Sequence, residues 1–183
     1  MNTVITTQEA QQFSIDASHT NVEFVVRHLM ISKVRGRFAG VKGTIVLAEG
    51  SDLPKSVDVE IDAGSVDTRE PQRDEHLRSA DFFDVERFPA LTYTGRRVEG
   101  TLDSFRIHGD LTMHGVTRPV VLEATYEGRG PDPWGGERIG YSATAKLNRK
   151  DFGLHWNVAL ETGGWLVGDT IKIEISAEAN RQA

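Results

Sequence analysis

Apolar and charged residues change places at every second position in one segment of this chain after another. From Asn21, the apolar Val22, Phe24 and Val26 alternate with Glu23 and Arg27, and Val25 is the one exception. Val57, Val59 and Ile61 alternate with Asp58, Glu60 and Asp62, and Ile171, Ile173 and Ile175 with Lys172, Glu174 and Ser176. The same period recurs at Ile45 and Leu47, at Leu91 and Tyr93, from Phe105 to Met113, from Val120 to Tyr126 and from Ile139 to Leu147. A β-strand turns successive side chains to opposite faces, so a two-residue period marks a strand buried on one face only. About eight such strands belong to an antiparallel sheet wetted on one side, not to the doubly buried strands of a parallel sheet. An all-β barrel or sandwich follows.

Turn-forming residues punctuate these segments at Gly36, at Gly40 with Gly43, over 50–54, at Gly95, over 100–104, at Gly115 and over 128–136. That is the pattern of a meander of hairpins, and the longest stretch, 128–136, reads as a mobile tip. One segment departs from it. Thr68 to Arg78 offers a capping threonine, a proline suited to a first helical turn and acids near the N-terminus, so a short helix is predicted over Arg69–Ser79. Leu77 and Ala80 share one side of it and lead into Phe82 and Phe83, two aromatics placed to plug one end of a barrel. Core packing is the simpler role for any one of them. Residues 1–11 are polar and aperiodic and read as a leader, and 12–183 as one domain.

The chain has no cysteine, which excludes disulfide scaffolds, thiolate zinc sites, iron–sulfur clusters and cysteine nucleophiles. Its formal charge of -6 disfavours partners bound through phosphate neutralisation, so no nucleic acid is expected. Met1 to Glu9 carries neither a basic region nor an apolar run, and nowhere do roughly 18 apolar residues follow one another, so no transmembrane segment is predicted and a cytoplasmic location is expected.

No phosphate loop, His-Glu-x-x-His helix, Gly-x-Ser-x-Gly elbow or calcium loop occurs. His108 and His114 have the parity opposite to Ile107, Leu111 and Met113 and are expected to face solvent. His28 shares the inward parity of Val22, Phe24 and Val26, with Asp16 and His19 near the start of the same hairpin. Together with Arg73, Asp74 and His76 these residues could form a structural polar network or a metal or acid–base site. Hydrogen bonding is the simpler reading, because inward polar groups must be satisfied whatever else they do. No metal, cofactor or catalytic residue is expected.

Several motifs in order resemble the YceI-like family of polyisoprenoid-binding, lipocalin-like barrels. They are Phe13–Thr20 followed by Val22, Phe24 and His28; Ser32–Phe38; Arg73–Asp84 with Phe88 and Pro89; Gly109–Thr117; and Arg149–Gly153. The resemblance runs from about Phe13 to Ala177. The family usually opens with tryptophan where this chain has Phe13, and many members carry a secretion signal. An interior of about eight strands can be filled or can hold a ligand, and strand count alone does not decide. The resemblance implies an extended antiparallel barrel with an apolar tunnel for an isoprenoid quinone, polyprenyl compound or fatty lipid, in many members a homodimer, and no catalytic residues to carry over. The expected function is non-enzymatic binding and transport. The competing reading is an enzyme acting on such a lipid or a small amphiphile, with His19, His28, Asp74 and His76 as metal ligands or acid–base groups.

Parity and resemblance together name a tunnel lining. It comprises Val22, Phe24 and Val26 on the first long strand, Ile45 and Ile61 on the next two, and Leu77, Phe82 and Phe83 on the helix and its exit. Leu91, Tyr93, Ile107, Leu111 and Trp165 complete it, with His28 as the inward polar contact to a head group.

Overall fold

The computed structural model describes residues 10–182. Most of the predicted leader, residues 1–9, lies outside the described residues, whereas Gln11 accepts from the Leu47 amide and its side chain accepts from Arg129. The strands are β1 (Gln12–Ile15), β2 (Asn21–His28), β3 (Ser32–Phe38), β4 (Val41–Leu47), β5 (Pro54–Asp62) and β6 (Val66–Asp67). After helix α1 (Pro71–Arg78) come β7 (Ala90–Thr101), β8 (Ser104–Met113), β9 (Val116–Pro131), β10 (Glu137–Asn148) and β11 (Thr170–Arg181).

Eight of these close a ring. The order β1-β4-β5-β7-β8-β9-β10-β11 returns to β1, antiparallel throughout. The free edge of β11 is shared: Ala179–Arg181 pairs with β1 and Lys172–Ser176 with β2. β2, β3 and β6 therefore continue the sheet from β11 beyond the ring, and α1 packs against β6. Only Arg37 and Phe38 of β3 find a partner on its outer edge. Lys33, Arg35 and Arg37 stand exposed along that strand, the charges by which an open edge discourages pairing with another chain. Among the described residues, no helix is long and apolar enough to cross a membrane.

Three glycines read as turns lie inside strands. At Gly36 a Cβ would stand 2.2 Å from the Phe24 ring on the neighbouring strand, so the residue is glycine to admit that ring. Gly43 and Gly95 likewise sit within β4 and β7. The 128–136 loop is shorter than predicted, because β9 runs to Pro131 and Arg129 is held by Asp52, Gln11 and Glu137. The helix is capped by Glu70, whose carboxylate accepts from the Gln72 and Arg73 amides, with Pro71 following it. Thr68 instead donates through its amide and hydroxyl to buried Asp74, 2.8 and 2.5 Å. His114 does not face open solvent: the strand ends at Met113, and the imidazole lies against Phe88 and the Phe152 carbonyl.

Two apolar clusters occupy the interior. One gathers Phe13, Leu47, Phe105, Ile139 and Tyr141 at the end where β1 closes the ring, and the other gathers Phe38, Val66, Met113, Phe152 and Leu154 beneath α1. Over the first, Arg129 bonds Glu137 and Asp52 and lies 5.3 Å above the Phe13 ring, while Arg181 also bonds Glu137. Hydrogen bonding from Arg129 holds the Glu137 carboxyl down at about 2, against an ordinary 4.5. A carboxylate depressed in the folded state contributes stability that is full above its unfolded value and lost as pH falls through the folded one. The urea midpoint should therefore drop between about pH 4.5 and about pH 2. Glu137→Gln should lower the neutral-pH midpoint and flatten that drop, the two curves meeting near the acid limit; parallel curves would show that the network contributes nothing.

Candidate functional site: an apolar cavity in the barrel

Between the two clusters the barrel is hollow. The signature is a set of inward residues that are not fully buried: Val59, Leu111, Val120, Leu122, Ile173 and Ile175 all point to the interior and pack against one cluster or the other, yet each remains only half-buried. Close-packed cores leave few voids larger than a water, so these side chains face open space. The cavity offers about 220 Å³ to the centres of water-sized molecules, far above the roughly 10–15 Å³ needed to admit one water.

Its wall is apolar throughout, even where polar residues contribute to it. The Tyr93 hydroxyl donates to the carbonyls of Ile107 and Val120, at 3.0 and 3.1 Å, and the Tyr141 hydroxyl donates to that of Asp52. Burial pushes both phenols above their ordinary range, so both stay neutral donors. Thr20 turns its hydroxyl to the Glu178 carbonyl and Ser142 turns its own to Glu127. A buried polar group must be satisfied, and here each is satisfied by the barrel itself, which leaves only carbon facing the cavity.

Arg149 is the most constrained of them, with 2% of its surface exposed. Its guanidinium donates to the carbonyls of Gly168, Leu154 and Trp156 at 2.9, 2.7 and 2.9 Å and pairs with Asp169 at 3.3 Å. Burial lowers its pKa while Asp169 opposes the shift; arginine remains charged under such perturbation. One side chain thus ties both ends of the 153–169 connection to the end of the barrel.

Twelve of the predicted lining residues stand on the cavity wall: Val22, Phe24, Val26, Ile45, Ile61, Leu77, Phe82, Phe83, Leu91, Tyr93, Ile107 and Leu111. Two do not. Trp165 is 53% exposed, because 159–165 doubles back as a small hairpin bridging Ala159 to Trp165 and turns the indole outward. His28 lies past Val26 at the end of β2, where its backbone bridges Val167 instead of bordering the cavity, so inward parity no longer carries it inside. Arg149, Ile171, Ile173 and Ile175 are wall residues absent from the predicted lining, although all continue the inward parity of their strands.

The residues weighed for acid–base or metal chemistry are dispersed. Asp74 accepts from Thr68, His76 sits 2.8 Å from Asp81 and edge-on to Phe82 and Trp156, and His19 pairs with Asp16. Among the described residues, Asp16, His19 and Glu178 form the one trio whose ligand atoms lie within 4.8 Å of one another. The cation between its two carboxylates is the Arg138 guanidinium. Hydrogen bonds from Ser18 and His19 hold the Asp16 carboxyl well below the usual range.

The sequence profile of the YceI-like domain matches residues 13–179. The chain belongs to the YceI-like family. Protein YceI of Salmonella newport is 39% identical over 175 residues, covering 94% of this chain and 88% of that protein. Among solved structures, the Campylobacter jejuni YceI protein superposes with a TM-score of 0.74 at 33% identity, covering 86% of this chain and 90% of that one. A polyisoprenoid binding domain from Saccharophagus degradans, implicated in plant cell wall breakdown, shares the fold at a TM-score of 0.65 and 18% identity, covering 91% and 97% of the two chains. The YceI-like barrel of this chain is thus the family's architecture, with the cavity at its centre.

Proposed function

We propose that this YceI-like barrel binds one long-chain lipid, an isoprenoid quinone, polyprenyl compound or fatty amphiphile, in the cavity and carries it without chemical change. The observation that supports this most is the wall: twelve aliphatic and aromatic residues named from sequence border a space with no polar atom offered to its occupant. Such a site recognises length and apolarity, and it has nothing with which to activate a bond. The Saccharophagus degradans neighbour bears on the chemical class of ligand through its description as a polyisoprenoid binding domain.

The magnitudes are adequate. Each buried methylene contributes about 0.8 kcal/mol, so about fifteen of them contribute a gross 12 kcal/mol before the costs of ordering chain and protein. Titration with a short-chain isoprenoid quinone should saturate at one ligand per chain and show the negative heat-capacity change of apolar burial. Weak uptake without saturation would contradict a defined site. A homodimer belongs to the same reading, and light scattering with and without the quinone tests it.

A further inference from the structure

We infer that the loops beside Arg149 form a docking surface for an anionic lipid bilayer. The β2–β3 turn and the 153–169 connection meet there: the Leu29 amide donates to the Leu166 carbonyl at 2.9 Å, and Gly164 lies against Met30. Ile31 is 84% exposed, and Leu29, Met30, Val158 and Trp165 are exposed beside it. Few large apolar side chains elsewhere in the described chain are so open, and these five lie on two touching loops.

The local sequence is chosen against turn preference. Leu29 and Met30 both have positive φ, 54° and 61°, at the centre of the turn in the three-residue β2–β3 connection, closed by the Ile31 amide on the His28 carbonyl. Such turns favour Asn-Gly, and bulky apolar residues there are strained. A strained, solvent-facing apolar tip gains nothing within the fold, whereas an apolar tip with a neighbouring tryptophan suits a bilayer interface.

Charge selects the kind of surface. The groove joining the two loops is lined by Arg27, Lys33, Lys146 and Lys172 alongside Val25, Met30 and Trp165. Its carboxylate, Asp169, is already held by Arg149 and Lys150, and Lys172 by Glu174. Arg27, Lys33 and Lys146 form no ion pair among the described residues, on a chain whose net charge is -6. Glu161, on the small hairpin, is the opposing acid. Basic residues around an apolar tip add electrostatic attraction to anionic lipid.

The surface is also continuous with the cavity, since Val26 and Val167 line both the cavity and this groove. The inference rests on the lipid-binding reading for its purpose, a lipid passing between bilayer and barrel, but its test does not. Full-length protein is floated with vesicles of phosphatidylcholine alone and of phosphatidylcholine with phosphatidylglycerol. Binding should favour the anionic vesicles and weaken with salt. Ile31→Ser and Trp165→Ser should each reduce partitioning about tenfold, and the pair about a hundredfold. Lys33→Glu with Lys146→Glu should abolish the anionic preference. Trp134→Ser, at the exposed β9–β10 tip at the far end of β10, should change nothing. Uptake of detergent-dispersed quinone should stay unchanged in every variant, which separates docking from cavity binding. Absence of vesicle binding, or equal binding by wild type and the Ile31/Trp165 variants, overturns the inference even where quinone uptake is intact.

Discussion

Leu111→Phe combined with Val120→Phe will strip the barrel of lipid and leave it folded. Both residues point inward from adjacent strands, both are only half-buried, and both touch the two apolar clusters at once, which places them at the waist of the cavity. Two benzyl groups there bring no polar atom that would need a partner. Into a filled interior such additions cost about 1 to 3 kcal/mol each through strain; into a void the rings gain contacts and the cost should fall below about 1 kcal/mol in total. Lipid occupancy should fall at least about tenfold, because a chain can no longer pass the waist. Denaturant midpoints and ligand titrations on the same two proteins check it. A large stability loss with unchanged occupancy would mean the interior is packed and lipid binds elsewhere.

Arg149→Leu carries the largest expected cost in stability. The substitution removes a guanidinium that satisfies three backbone carbonyls at 2.7–2.9 Å and one carboxylate, and it leaves those carbonyls facing apolar surroundings. Breaking a buried charged network by removing one partner costs about 3 to 5 kcal/mol, a large share of the total for a domain of this size. Arg149→Lys should recover only part of it, because one ammonium cannot reproduce the planar fork that spans Leu154, Trp156 and Gly168. Urea unfolding with the slope held in view decides; a shift worth less than about 1 kcal/mol would show that the 153–169 connection is held by other contacts.

The alternation that defines the barrel was legible because an antiparallel strand with one wet face writes its period directly into sequence. β3 was not, because its inward positions are Val34, Gly36 and Phe38, and the glycine that makes room for Phe24 has the same letter as a turn. His28 failed for a related reason: parity states which face a side chain takes, not whether the strand still borders the cavity at that height; Trp165 failed because it lies in a connection that has no strand period to read. Hollow and filled interiors share one pattern, so the cavity became visible only through inward residues such as Val59 and Ile173 that remain half-buried. Arg149 could have been found, as it continues the inward parity of Ala145 and Leu147 into the predicted Arg149–Gly153 motif. Its partners could not, since Trp156 and Gly168 reach it only after the connection folds back.

Native mass spectrometry of the full-length protein, purified without detergent and then incubated with an isoprenoid quinone, tests the central claim most directly. The account predicts one lipid per chain, carried from the host or taken up on incubation, lost on collisional activation to leave the bare chain mass, and absent from the Leu111→Phe/Val120→Phe variant. A wild-type chain that keeps its bare mass throughout, or a variant that binds as the wild type does, would contradict it.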